Sequence, residues 1–284
     1  MLEWDDCTIG YRRDRPIFEH FSLTLDESAV IIGPSGSGKS TLMAAMLGLV
    51  PYVAGDLRVD GRSVGNAPRL SRQYLSYLPS ANRLPSDLTM EEYLTELARL
   101  DGLLWSTARR QAQQVADRLH LAQALSRRLG WLSGGMKRRT LLAATLLKPS
   151  EWLLVDEATA GLDPAEQRTV LDLLQTESSR RPVMMVTQQL DEIRLFPNRV
   201  IILADGKVLF DASSQALADA ARSHVFQAPM TALAQAHGTW RPLPESDAIK
   251  LYLDQPPQDA TALAPTVEDG YFWLLTAKGR EHGK

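Results

Sequence analysis

Gly33-Pro34-Ser35-Gly36-Ser37-Gly38-Lys39-Ser40-Thr41 is the stretch on which the fold turns. It has the form glycine, four residues, then Gly-Lys-Ser. The compact apolar run Ala29 to Ile32 precedes it and the helix-like Leu-Met-Ala-Ala-Met-Leu-Gly-Leu follows it. A strand, a glycine-rich turn and a helix in that order are the setting a phosphate-binding loop requires. Glycines at 33, 36 and 38 let the backbone curl into a nest with its N–H groups inward, and the helix adds its positive end. Lys39 can reach β- and γ-phosphate oxygens, and the Ser40 hydroxyl can ligate Mg²⁺.

A second apolar strand, Trp152 to Val155, ends in Asp156 and Glu157. Its burial aims two adjacent carboxylates at the crevice where the phosphates would lie. One can hold Mg²⁺ and the other can polarise an attacking water, as γ-phosphate hydrolysis requires. Val183 to Val186, ending in Thr187 and Gln188, is a third strand of this kind. Strands alternating with helices imply a largely parallel α/β sheet. The first thirty residues alternate instead in short runs broken at Gly10, Asp14 to Pro16 and Asp26 to Ser28, which predicts an antiparallel β segment. Gly55 to Gly61 and Tyr74 to Leu78 read as further strands.

From Thr89 the period becomes helical, with Thr89 and Glu92 as a capping box, and it runs to about Ser126. Its Arg- and Gln-rich face, Arg109, Arg110, Gln111, Gln113, Gln114 and Arg118, reads as a solvated surface. Past Ser214 the patterning weakens into a short helical run, two proline-rich stretches and a helix-like Glu-Asp-Gly-Tyr-Phe-Trp-Leu-Leu, a small C-terminal appendage.

Composition narrows the classes further. With 31 Lys and Arg against 34 Asp and Glu, the net charge of −3 argues against a chain that coats nucleic acid. The single cysteine, Cys7, excludes an internal disulfide and fits a reducing compartment, with a buried structural thiol expected. No run approaches the roughly 20 apolar residues of a membrane span. The acidic start Met-Leu-Glu-Trp-Asp-Asp is unlike a signal peptide, so a cytosolic protein is expected.

Leu132-Ser133-Gly134-Gly135-Met136 precedes a helix predicted over Met136 to Leu147. By itself it is either a helix-capping turn or a second anion site. Together with its neighbours it resembles the ATP-binding cassette (ABC) family. Gly33 to Thr41 is similar to that family's Walker A loop, Ser133-Gly134-Gly135 to its signature, Leu-Leu-Val-Asp156-Glu157 to its Walker B segment, and Ala160-Gly161-Leu162-Asp163 to its D-loop.

The resemblance implies a P-loop NTPase core with a mainly parallel sheet, an antiparallel β subdomain and a helical signature subdomain over about 85–145. The ABC ATPase domain would span 1–214, with a C-terminal accessory region over 215–284. It further implies ATP and Mg²⁺ sandwiched between Walker A of one subunit and the signature of another, in a homodimer or a heterodimer with a second ABC ATPase. Tyr11 falls where the family stacks an aromatic on adenine, Asp156 becomes a metal ligand, and Glu157 activates water with Lys39 and residue 188 at the γ-phosphate.

The interval from Ser40 to Ser133 is too short for the coiled-coil insertion of DNA-repair members, and translation-factor members carry two cassettes. The tail Pro265 to Leu275 is similar to cassettes of type-two exporters, whose multi-span membrane permease is a separate chain. The implied location is cytoplasmic, on the inner face of the cell membrane through that permease.

Two positions depart from the family pattern. Where it places a glutamine that touches Mg²⁺ stands Ser80, with Gln73 too early and Asn82 too late to replace it. Where it places a histidine on the γ-phosphate stands Gln188. A glutamine amide can donate a hydrogen bond but cannot carry a proton as imidazole does. The pair of changes implies binding and closure with slowed turnover. The alternative is a non-transporting regulatory cassette that uses ATP-dependent dimerisation as a switch.

Overall fold

A computed structural model describes residues 1–195, 199–231, 239–243, 248–255 and 260–281. The chain divides into two compact units, Met1–Pro197 with Leu203–Lys207, and Asn198–Ile202 with Val208–Lys284.

The first unit opens with β1 (Leu2–Ile9) paired antiparallel with β2 (Phe18–Leu25). Leu2 faces Leu25 and Trp4 faces Leu23, so the apolar members of both alternations share one buried face. A register irregularity between Trp4 and Cys7 keeps Cys7 and Ile9 on that face. Burial pushes the Cys7 thiol up to about 11, which suits the expected structural role. Next come β3 (Ala29–Ile32), the glycine-rich loop and α1 (Lys39–Met46). β4 (Tyr52–Val59) returns to pair with β1, and β5 (Arg62–Ser63) closes the antiparallel sheet in the order β2-β1-β4-β5. β4 starts at Tyr52, ahead of the expected Gly55, because Tyr52 still pairs with Ile9.

After α2 (Pro68–Tyr74) follow β6 (Leu75–Leu78), α3 (Met90–Leu100) and α4 (Trp105–Arg118). Tyr74 belongs to the helix and not to the strand expected from it. The capping box is present in both directions: Glu92 N–H donates to the Thr89 hydroxyl, and Thr89 N–H donates to the Glu92 carboxylate. The helical stretch expected to run to Ser126 is broken at Asp101 to Leu104 into two helices and a short 3₁₀ turn over Ala122–Ala124. The Arg- and Gln-rich face is exposed apart from the half-buried Gln111, as expected, and Arg109 and Gln113 both bond Glu91.

α5 (Gly134–Leu147) begins two residues before its expected start, because the Ser133 hydroxyl accepts the Met136 N–H and caps it. β7 (Trp152–Asp156), α6 (Pro164–Ser178), β8 (Val183–Val186) and α7 (Leu190–Leu195) complete this unit's elements.

β3, β8, β7 and β6 are neighbours in that order, all parallel. Every residue of β3 and β8 is buried, as in a sheet covered on both faces. The register sets Ile31 and Asp156 each beside Val186. The carboxyl ends of β3, β7 and β8 are therefore level, and the loops leaving them share one crevice.

In the second unit, β9 (Arg199–Ala204) straddles the division, followed by β10 (Lys207–Ser213) and α8 (Ser214–Asp219). β11 (Val225–Pro229), β12 (Thr239–Pro242), β13 (Ala248–Tyr252) and β14 (Thr261–Ala262) form an antiparallel sheet in the order β12-β13-β11-β14, and α9 (Val267–Glu281) ends the described chain. Phe226, Ile249 and Leu251 make one core, while Val225, Tyr252 and Trp273 of α9 make another. Asp269, fully buried, accepts hydrogen bonds from Thr266, Lys250 and Tyr252. The weak patterning past Ser214 thus conceals a four-stranded sheet. Parts of the proline-rich stretches lie outside the described residues.

Candidate active site

The loop leaving β3 turns sharply enough that Ser37 N–H donates to the Pro34 carbonyl at 3.2 Å. Gly38 precedes α1 at φ +102°, and a Cβ there would sit 2.6 Å from the Phe18 ring, so only glycine fits. Lys39, 6% exposed, folds back into the loop. Its ammonium donates to the Gly33 carbonyl at 2.8 Å, the Pro34 carbonyl at 2.9 Å and the Ser37 hydroxyl at 3.2 Å. Burial lowers its pKa, and the fields of Glu157 and Asp156 oppose that shift.

Across the crevice, burial raises the pKa of Asp156, while hydrogen bonds from Tyr77 and Ser80 favour its ionised form. The Tyr77 hydroxyl donates to Asp156 Oδ2 at 3.1 Å. Glu157 follows with a left-handed backbone, φ +45°, its N–H donating to the Val186 carbonyl at 2.8 Å. The Gln188 amide donates to Glu157 Oε1 at 2.8 Å.

Of the residues singled out from sequence, Ser35, Gly36, Gly38, Lys39, Ser40, Thr41, Asp156, Glu157 and Gln188 line one cleft of 240 Å³. Gly33, Pro34 and Ser37 form the wall that grips Lys39. Tyr11 is 65% exposed and does not line the cleft. Ser133, Gly134, Gly135 and Asp163 lie outside it as well. Ser133 and Asp163 serve here as helix caps, Asp163 accepting from Ala165 and Glu166 N–H.

Sequence reasoning missed Ile17 and Val186, which line the cleft, Tyr77 beside Asp156, and Arg138 behind it. By composition alone nothing sets Arg138 apart from Lys137 and Arg139 on either side of it. A helical-period signal was available, because Gly135, Arg138 and Leu142 fall on one buried stripe of α5.

The donor set suits Mg²⁺ held jointly with phosphate, since Ser40 and Asp156 offer hard oxygens and this ion is held by one or two carboxylates plus substrate phosphates. Among the described residues no three His, Cys, Asp or Glu gather as an independent metal site.

A glycine-rich loop between strand and helix, with two carboxylates at the neighbouring strand end, defines a mixed α/β P-loop fold. The family described as ABC transporter matches residues 19–160, half of the chain, and the protein belongs to that family. The daunorubicin/doxorubicin resistance ATP-binding protein DrrA of Streptomyces peucetius is 30% identical over 84% of this chain and 72% of its own length. The linearmycin resistance ATP-binding protein LnrL of Bacillus subtilis (strain 168) is 30% identical over 66% of this chain and 61% of its own length. The phospholipid-transporting ATPase ABCA3 of Mus musculus is 32% identical over 71% of this chain, which spans 12% of that protein's length.

The chain likewise spans 11% of the Dictyostelium discoideum ABC transporter A family member 2. Among solved structures, an ATP-binding subunit of an ABC transporter has a TM-score of 0.66 at 24% identity, covering 76% of this chain and 91% of its own. A dimeric ATP-binding cassette in a post-hydrolysis state bound to ADP and Pi has a TM-score of 0.66 at 21% identity, covering 75% and 98%. These two likenesses establish the fold. Among the described residues no helix is long and apolar enough to cross a membrane.

Proposed function

We propose that this chain is the ATP-binding and hydrolysing subunit of an ABC exporter. It would act in the cytoplasm on the inner face of the cell membrane and power a separate multi-span permease. The observation that carries this is the convergence of Lys39, Ser40, Asp156 and Glu157 at the level ends of three parallel strands. The resistance ATP-binding proteins among its relatives support the exporter part.

Lys39 exchanges its loop carbonyls for β- and γ-phosphate oxygens, and Ser40 and Asp156 hold Mg²⁺. Bound there, Mg²⁺ would supply positive charge against that developing on the phosphates. Glu157 takes the proton of the attacking water. Ser133, Gly134, Gly135 and Asp163, outside the cleft within one chain, complete the site of a partner cassette, identical or different, and Tyr11 stacks on the adenine.

Turnover is slow in this reading. The neutral Gln188 amide occupies Glu157 where an imidazole would stand, and Ser80 is too short to replace a glutamine. Restoring both, Gln188→His with Ser80→Gln, raises phosphate release about 10²-fold. A wild-type rate of about 1 s⁻¹ or more, with no gain on restoration, sinks the attenuation. Loss of turnover in Glu157→Gln with ATP binding intact tests the assignment of the base.

The Gln188–Glu157 contact also favours a second reading, a regulatory cassette in which ATP-dependent dimerisation is the output. Co-purification of the full chain with a multi-span membrane protein supports the exporter, and its absence beside ATP-dependent self-association supports the switch.

A further inference from the structure

Arg138 is 1% exposed, and its guanidinium makes no salt bridge among the described residues. It spends its donors on backbone carbonyls instead. Nε donates to Ala158 O at 2.6 Å, and one terminal nitrogen donates to both Asp156 O and Glu157 O at 3.0 Å. The other terminal nitrogen donates to Pro79 O, the residue before Ser80. Three consecutive carbonyls around the proposed base are therefore held by one side chain, and that side chain belongs to the helix Ser133 caps. Burial lowers the Arg138 pKa to about 10, with Asp156, Glu192, Tyr77 and Glu157 opposing, so it is charged at neutral pH. Behind it the Thr159 hydroxyl donates to the buried Glu192.

The grip matters because of Glu157's backbone. A non-glycine residue at φ +45° is uncommon and persists where its surroundings over-determine it. The Glu157 N–H is fixed by Val186, and its carbonyl is fixed by Arg138. Those two contacts set the direction in which its carboxylate leaves the chain, toward the cleft.

We propose that Arg138 is the positioning residue for Glu157, tying α5 to the backbone that carries the hydrolytic carboxylate. This role rests on the ATPase reading above. A planar guanidinium can span these carbonyls, whereas an ammonium is a point donor that reaches fewer of them. Because Ser133 opens the same helix, a displacement of the signature loop reaches Glu157 through one rigid element and one side chain.

The test uses the full chain with Arg138→Lys and Arg138→Met, reading steady-state kcat and KM for ATP, binding of a fluorescent ATP analogue, and amide hydrogen exchange of segment 156–160. Arg138→Met lowers kcat about 10- to 100-fold with KM and analogue binding within about twofold, and Arg138→Lys falls between it and wild type. Exchange in 156–160 rises about tenfold in Arg138→Met without a matching rise in β1 to β2. Unchanged kcat with unchanged exchange overturns the proposal, as does an equal rise in exchange throughout the unit. If Arg138→Met does not fold, Arg138→Lys decides by the same two readouts. If wild type binds the analogue but releases no phosphate, the ATPase reading fails, and the exchange arm still decides whether Arg138 holds the Glu157 backbone.

Discussion

The chain carries two glycine loops at helix starts, and they differ in what they already contain. The loop over 33–41 encloses its own cation, with the Lys39 ammonium bonded to three of its oxygens. Among the described residues no lysine or arginine side chain bonds the loop over 133–135. Ser133 and Gly134 face solvent, Ser133 lies 3.3 Å from Glu166, and a Cβ on Gly135 would come within 2.1 Å of the Glu166 carboxylate. Both present N–H groups and the positive end of a helix. Only the first couples them to a positive charge, and the second sits beside a negative one. In the proposed function an anion would have a complete cradle at the first loop and half of one at the second, which is what a site completed by another chain would need.

The contrast breaks hardest at Lys39. Lys39→Ala is expected to weaken ATP-analogue binding by about 10²-fold or more, measured by equilibrium titration. Retained affinity would mean the two loops are alike after all. Acidification separates them next. In the proposed role Asp156 would have to be ionised to hold Mg²⁺, and burial raises its pKa above the ordinary 3.8. Mg²⁺-dependent binding is accordingly lost, as pH falls, at a higher pH than an ordinary carboxylate would give, and Asp156→Asn removes that step from the titration.

At the signature loop the effects are smaller. Ser133→Ala loses the α5 cap and costs about 1 kcal/mol of stability by denaturant unfolding. Glu166→Gln removes the carboxylate over Gly135 and tightens ATP-dependent self-association by about two- to fivefold in sedimentation, an effect that high salt reduces.

How much of this was legible in the sequence follows from how locally each feature is encoded. The phosphate loop and the strands before Asp156 and Gln188 were readable, because a fully buried parallel strand is a continuous apolar run and the loop needs glycine at fixed places. The capping box at Thr89 and Glu92 was readable for the same reason. The C-terminal sheet was not. Its strands are two to five residues long, and β11 pairs with β13 and β14 across long intervening sequence and not through two-residue hairpin turns. Arg138 was hidden by composition, since the middle residue of the basic run Lys137-Arg138-Arg139 suggests solvent unless helical period is weighed against charge. The Gln188–Glu157 bond lay beyond reach, because it depends on the register of β7 against β8, which neither segment encodes alone.

Lys39's three contacts have a consequence for selectivity. The cradle is held shut by its own ammonium, so any guest competes with two carbonyls and a hydroxyl that are already in place and cost no entropy to assemble. A small monoanion offers too little charge and reach to draw the lysine off all three. A triphosphate presents a row of oxygens along which the ammonium can move in steps. In the proposed ATPase the latch would favour longer phosphate chains, through the same side chain that would then hold the bound nucleotide.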